Sequence, residues 1–325
     1  MFGPNTNHSS LVRWMLVGCV LLPLATPARA LAEPPYSGIV VFGTSLSDSG
    51  NAFALRGSAN TPPDYLLDPL LVPSAPFARG GHHFSNGATW VEQFARSLGL
   101  AGSVQPAYRG TSSVATNFAV GAARAYDDGK NVNLSDQVAA YLQSTDGVAS
   151  PSALYVIEMG GNDVRDALGA YPVGHTVVLQ RALGSIATNI GHLHAAGARR
   201  FLVWSAPNPA LTPALRRLAL VNPAIAQLAI ALTQSFNSNL GGALMQLSTL
   251  PGISIGRLDA YALLNEIVAD GERFGLANVI DACITPDQAP FACTNPDEYL
   301  FWDGIHPTAA VHGIIGQLAA SVLSQ

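Results

Sequence analysis

Lysine is all but missing from this chain: of 16 basic residues in 325, only Lys130 is a lysine, and the arginines are scattered. Without a polybasic run there is no surface to neutralise a phosphate backbone, which argues against a nucleic-acid partner. Charge of either sign is scarce, 11% against 49% hydrophobic residues, so the chain can bury a sizeable core and is too apolar to stay disordered. The net charge of -5 selects no function class. A metal-ligand pattern is also lacking. His82 and His83 are adjacent and project apart, and His192 and His194 stand two apart on a helical pattern, where they share no face. No glycine-rich strand-turn-helix fingerprint for a nucleotide is present. Neither a metal nor an organic cofactor is expected. Internal repeats and low-complexity linkers are missing too, which points to one domain.

Membrane-spanning sequence is equally scarce. The apolar run at residues 14–24 is broken by Pro23 and falls short of the roughly 20 residues a span needs. It follows Arg13 and precedes Ala28-Arg29-Ala30, a small-x-small cleavage pattern. Residues 1–30 therefore read as a signal peptide and residues 31–325 as a single mature domain, exported and either secreted or periplasmic. Leu16-Val17-Gly18-Cys19 also resembles a lipoprotein signal, but most of the apolar run follows Cys19 instead of preceding it. Cysteine is limited to three. Once Cys19 leaves with the signal, Cys283 and Cys293 remain as an even pair, expected to form a disulfide in an oxidising compartment. Closing so short a loop stabilises by about 2 to 3 kcal/mol. The bridge would also restrain the segment that leads into Asp303, ten residues beyond Cys293.

What the chain does have is alternation. Short apolar segments at 38–42, 153–159, 200–205 and 253–259 end in loops rich in Gly, Asn, Pro or Asp, and helical patterns lie at 89–98, 135–143, 176–196 and 223–247. Strands alternating with helices imply right-handed crossovers and an α/β fold whose parallel sheet is covered on both faces. Ligands of such sheets bind outside the carboxyl ends of the strands, where Ser45, Asn162 and Asn208 fall. A last helix is expected at 308–323, with Pro307 suited to its start. Residues 60–80 form a proline-rich apolar excursion, read either as an irregular connection on the core or as an acyl-chain contact near Ser45.

The chemistry concentrates in two places. Val40-Val41-Phe42-Gly43-Thr44-Ser45 carries a serine on a strand-ending turn, and Asp303-Gly304-Ile305-His306 supplies a carboxylate and an imidazole close enough to share one loop. Together they offer nucleophile, orienting acid and base for acyl transfer. The serine motif is not the G-x-S-x-G elbow, because Ser47 stands where the second glycine would be.

The chain resembles instead the GDSL or SGNH hydrolase family, in its bacterial branch of secreted and autotransporter lipases, phospholipases and lysophospholipid acyltransferases. Four blocks in family order carry the resemblance: residues 42–51 around Ser45, Asn117-Phe118-Ala119-Val120-Gly121-Ala122-Ala123, Gly160-Gly161-Asn162-Asp163, and Asp303-x-x-His306. The resemblance implies a three-layer α/β/α SGNH fold with flavodoxin-like winding and a central parallel sheet. It implies a Ser45, Asp303, His306 triad, and an oxyanion hole built from the Ser45 amide, the Gly121 amide and the Asn162 side chain. The implied activity is hydrolysis of carboxylic esters, fatty-acyl or phospholipid, through an acyl-enzyme that water or another alcohol can resolve. Transient contact with a membrane surface fits such a substrate. The same residues would serve a polysaccharide acetylesterase, and a binding protein that has lost catalysis is a third reading. One departure stands out: Thr44 replaces the aspartate of the family name, a residue that looks like a support for the nucleophile loop.

Overall fold

The computed structural model of the protein describes residues 1–3, 35–60, 71–110, 112–285 and 289–324. The expected cleavage site and Cys19 fall outside the described residues, as do residues 61–70 of the apolar excursion. Residues Pro34–Gln325 form one compact unit.

At its centre lie four parallel strands, β1 (Ile39–Gly43), β2 (Leu154–Glu158), β3 (Arg200–Trp204) and β4 (Ser254–Leu258), in the spatial order β1-β2-β3-β4. Every residue of β1 and β2 is buried, as expected of strands covered on both faces. The free edge of β1 is lined by residues 116–120: Val41 N–H donates to the Thr116 carbonyl at 2.9 Å, Phe118 N–H to the Val41 carbonyl at 2.8 Å, and Val120 N–H to the Gly43 carbonyl at 3.1 Å. Counted as a strand, this segment is second in the chain and lies outside the first. The order then becomes 2-1-3-4-5, the flavodoxin-like winding.

Nine helices are described: α1 (Asn51–Arg56), α2 (Trp90–Ser97), α3 (Leu134–Ser144), α4 (Gly161–Gly169), α5 (His175–Ala196), α6 (Pro213–Val221), α7 (Ala224–Leu247), α8 (Ala260–Ala269) and α9 (Ala309–Leu323). Side chains alternate along a strand, and the two layers follow from that period of two. Val40, Phe42, Tyr155, Ile157, Phe201 and Val203 face α3, α5 and α7. Their neighbours Ile39, Val41, Leu154, Val156, Leu202 and Trp204 face α2, α8 and α9. Two short strands, β5 (Asn278–Ala282) and β6 (Tyr299–Phe301), pair separately. The expected disulfide joins Cys283 to Cys293 with an S–S distance of 2.04 Å, directly after β5. Cys283 and Ile284 donate their amides to the carbonyls of Phe301 and Trp302, both at 3.0 Å, so the bridged loop lies alongside the chain entering Asp303.

Candidate active site

Ser45 stands two residues beyond β1, and His306 two residues before the capping Thr308 of α9, so separate elements deliver them to the carboxyl end of the sheet. The Ser45 hydroxyl lies 2.8 Å from His306 Nε2. On the far side of the ring, His306 Nδ1 lies 2.6 Å from Asp303 Oδ2. A carboxylate only accepts, so Nδ1 carries the ring hydrogen and Nε2 is left to accept from Ser45. Asp303 is fully buried and His306 almost so. The other carboxylate oxygen, Asp303 Oδ1, accepts the amides of Ile305 at 2.9 Å and His306 at 2.7 Å, which explains the three-residue spacing: one carboxylate closes its own turn and holds the ring. Trp302 N–H donates to the His306 carbonyl at 2.8 Å and closes the loop from outside.

Gly121 requires a correction. Its amide, assigned by resemblance to an oxyanion hole, donates to Asp48 Oδ2 at 2.8 Å and points into the protein. Glycine is needed there for a different reason: an added Cβ would lie 2.2 Å from Phe84, whose ring packs 5.4 Å from the His306 ring. The next amide, that of Ala122, makes no hydrogen bond among the described residues, and Ala122 adopts a left-handed φ of 71°. Asn162 Nδ2 donates to the neighbouring Ala123 carbonyl at 2.8 Å, which fixes the side-chain amide and leaves its second hydrogen for a ligand. The Ser45 amide also has no acceptor among the described residues.

Behind these donors lies a lattice that the sequence did not reveal. Asp48, with no exposed surface, accepts four amides, from Gly50 at 2.8 Å, Asn51 at 2.6 Å, Ala52 at 3.0 Å and Gly121. Burial raises its pKa, and the four amides oppose that rise. Asn51 in turn donates to the carbonyls of Asn117 and Ala119, both at 2.8 Å, and ties α1 to the edge segment. Asp163 accepts the Ala125 amide at 2.9 Å and the Gly160 amide at 3.2 Å, so the Asn-Asp pair both presents Asn162 and closes the turn before α4.

Thr44 is supported by a residue not anticipated. Its amide donates to Glu158 Oε2 at 2.9 Å and its hydroxyl lies 3.0 Å from both carboxylate oxygens. Glu158 ends β2 opposite Gly43, and burial pushes its pKa up to about 7. The available signal was a lone carboxylate closing the apolar run Leu154-Tyr155-Val156-Ile157. His83 is buried, with Nε2 2.8 Å from Glu92 Oε2. The described part of the apolar excursion packs on the catalytic loop, Phe77 edge-on to Trp302 at 5.6 Å and the Leu71 carbonyl accepting from Gly304 at 3.1 Å. It does not line the cavity at Ser45.

That cavity, about 140 Å³, opens at Ser45, Asn162 and His306 and runs between α4, α6, α8 and α9. Leu168, Leu215, Leu263, Leu264, Ile267 and Ile315 are among the apolar side chains of its wall.

Comparison with known proteins agrees with this arrangement. An esterase, EstA of Pseudomonas aeruginosa, is 30% identical over 95% of this chain and 50% of its own length. Lipase 1 of Photorhabdus luminescens is 25% identical over 94% of this chain and 53% of its own. The chain thus spans about half the length of these bacterial relatives. A GDSL esterase/lipase of Arabidopsis thaliana is 26% identical over 95% of this chain and 94% of its own. A family model described as GDSL-like lipase/acylhydrolase matches residues 39–319, a span running from β1 into α9 and enclosing Ser45, Asn162, Asp303 and His306, and the chain belongs to that family.

Proposed function

We propose that this protein is a carboxylic ester hydrolase that works through an acyl-enzyme on Ser45. The observation that carries the reading is the continuous path from Ser45 Oγ to His306 Nε2 at 2.8 Å and from Nδ1 to Asp303 at 2.6 Å. Ser45 attacks the ester carbonyl while His306 takes its proton, and Asp303 holds the ring and stabilises the imidazolium that forms. His306 then passes the proton to the departing alcohol, and water, activated in the same way, releases the acid. The negative oxygen of the tetrahedral intermediate is held by the Ser45 amide, the Ala122 amide and the second hydrogen of Asn162 Nδ2, donors often worth about 3 kcal/mol each. Ala122 takes the part that the resemblance gave to Gly121.

The substrate class follows from the cavity. A wall rich in leucines and isoleucines beside the nucleophile suits a fatty-acyl chain better than a sugar ring, so acyl esters of lipids are preferred over acetylated polysaccharide. Residues 1–30 serve as the export signal and residues 31–325 as one catalytic domain. A fluorophosphonate probe should label Ser45, and Ser45→Ala should abolish labelling and lower ester hydrolysis by at least 1000-fold. An unlabelled yet active enzyme, or full activity in the alanine variant, defeats the mechanism. Rates on esters of increasing acyl length test the substrate class, which a strict preference for acetyl would rule out.

A further inference from the structure

Two elbows beside the cavity expose apolar side chains. After α4 the chain turns through Tyr171, Pro172 and Val173, and the elbow that leads from α6 into α7 starts at Leu220 and Val221, the last two residues of α6; Val173, Leu220 and Val221 are 92%, 85% and 90% exposed. Helices α4 and α6 both begin at the site, where Asn162 and Leu215 line the cavity. Leu168 of α4 and Leu218 of α6 pack against one small cluster, and Leu168 also lines the cavity, so both helices run from the site through a shared cluster to their apolar tips. Ala214 N–H donates to the Gly304 carbonyl at 2.9 Å, so α6 is also bonded to the loop that carries Asp303 and His306.

Carboxylates are sparse in the sequence around these tips. Between Asp166 and Asp259 the sequence contains no carboxylate but six arginines, of which Arg216 and Arg217 sit on α6 just before its apolar tip. Arg217 is exposed, and neither arginine of α6 is in an ion pair among the described residues. Strand β5, which touches α6, adds the half-exposed Ile280 and one carboxylate, Asp281, that accepts from Asn278 Nδ2 at 3.0 Å. Exposed aliphatic residues beside two arginines that form no ion pair among the described residues suit an interface where hydrocarbon lies beneath anionic headgroups. We propose that the elbows after α4 and α6 dock this protein on an anionic phospholipid surface, with the cavity mouth facing the lipid. The proposal draws on the lipid-ester reading only for its purpose, because docking needs no turnover.

Flotation of the exported protein with vesicles tests it. With phosphatidylglycerol mixed into phosphatidylcholine, binding should exceed that to phosphatidylcholine alone by at least fivefold. The V173S/L220S/V221S variant should lose at least fivefold of that binding, and R217S about fivefold through the lost headgroup attraction. Both variants should keep an unaltered thermal transition and hydrolyse a soluble acetyl ester within twofold of the parent rate. Ser45→Ala protein should float like the parent, so failure of the acyl-enzyme mechanism and failure of docking are separately visible. Equal binding to both vesicle types, or unchanged binding of the triple variant, overturns the proposal. So does a dimer that the triple substitution dissociates while neither protein binds vesicles, since a second copy would then cover the face.

Discussion

From Ser45 toward Gly121 the floor of the site is a lattice of buried polar groups, whereas from Ser45 toward α8 and α9 its wall is mostly hydrocarbon. On the first side Asp48, Asn51, Asn117 and Asp163 are nearly or wholly inaccessible, and their side chains bond backbone groups of the turn and edge segment. On the second, aliphatic side chains from four helices surround open space. The difference fits what the proposed function asks of each side. A reacting oxygen has to be met by donors held in fixed directions, and hydrogen bonds fix direction because they weaken steeply when bent. An acyl chain has no polar atoms to be aligned, so its side needs only apolar area and room.

If the floor is directional, replacing one of its oxygens should be costly even when shape is kept. Asp48→Asn puts an amide N–H where two backbone N–H groups now find an acceptor. Buried donors left without acceptors cost about 1 to 3 kcal/mol each, with incomplete additivity, so a loss of about 2 to 4 kcal/mol is expected. Urea denaturation measures it. A loss below about 1 kcal/mol would mean that the lattice is no more exacting than the wall.

The wall should answer to volume instead. Leu264→Trp pushes a larger ring into the cavity from α8. The kcat/KM for decanoyl esters should drop about tenfold, of the order expected when several methylenes lose their apolar contacts, while acetyl esters stay within about twofold. An equal drop for both would place the acyl chain elsewhere.

Legibility in the sequence divides along the same line. Strands and long helices were readable because an apolar run between turn residues, or a 3.6-residue period, is a local signal; the run at 200–205 became β3 (Arg200–Trp204) and the pattern at 176–196 became α5 (His175–Ala196). The aligned Ser45, Asp303 and His306 were readable from residue type and motif context. What escaped was decided by contacts distant in sequence. Gly121 was assigned a donor role because its neighbour Phe84, which makes glycine necessary, lies 37 residues earlier and leaves no mark near the motif. The edge segment 116–120 carries no strand period of its own and takes its direction from β1. The cavity wall combines α9, expected from the sequence, with α4, α6 and α8, for which no helical pattern was read.

Glu158 gives the finest comparison, because it stands on the border of the two sides and touches both: its carboxylate holds Thr44 on the polar floor, and it lines the cavity. Burial raises its pKa from 4.5 to about 7, against the amide and hydroxyl of Thr44 and the hydroxyl of Ser47, which lower it; the charge of Asp163 nearby adds to the rise. The folded protein thus holds this proton more tightly than the unfolded chain does. Its contribution to stability is complete below pH 4.5 and is lost as pH rises through about 7. In Glu158→Gln, a permanently neutral side chain, that loss should vanish, flattening stability between about pH 5 and 8 by about 1 to 3 kcal/mol relative to the parent. Because Gln keeps one acceptor oxygen for Thr44, kcat should fall only about two- to fivefold with KM unchanged. Thermal unfolding of both proteins across that pH range decides it: a variant that keeps the parent slope shows that Glu158 is already ionised in the fold, and that the floor extends one residue further toward the cavity than its burial implies.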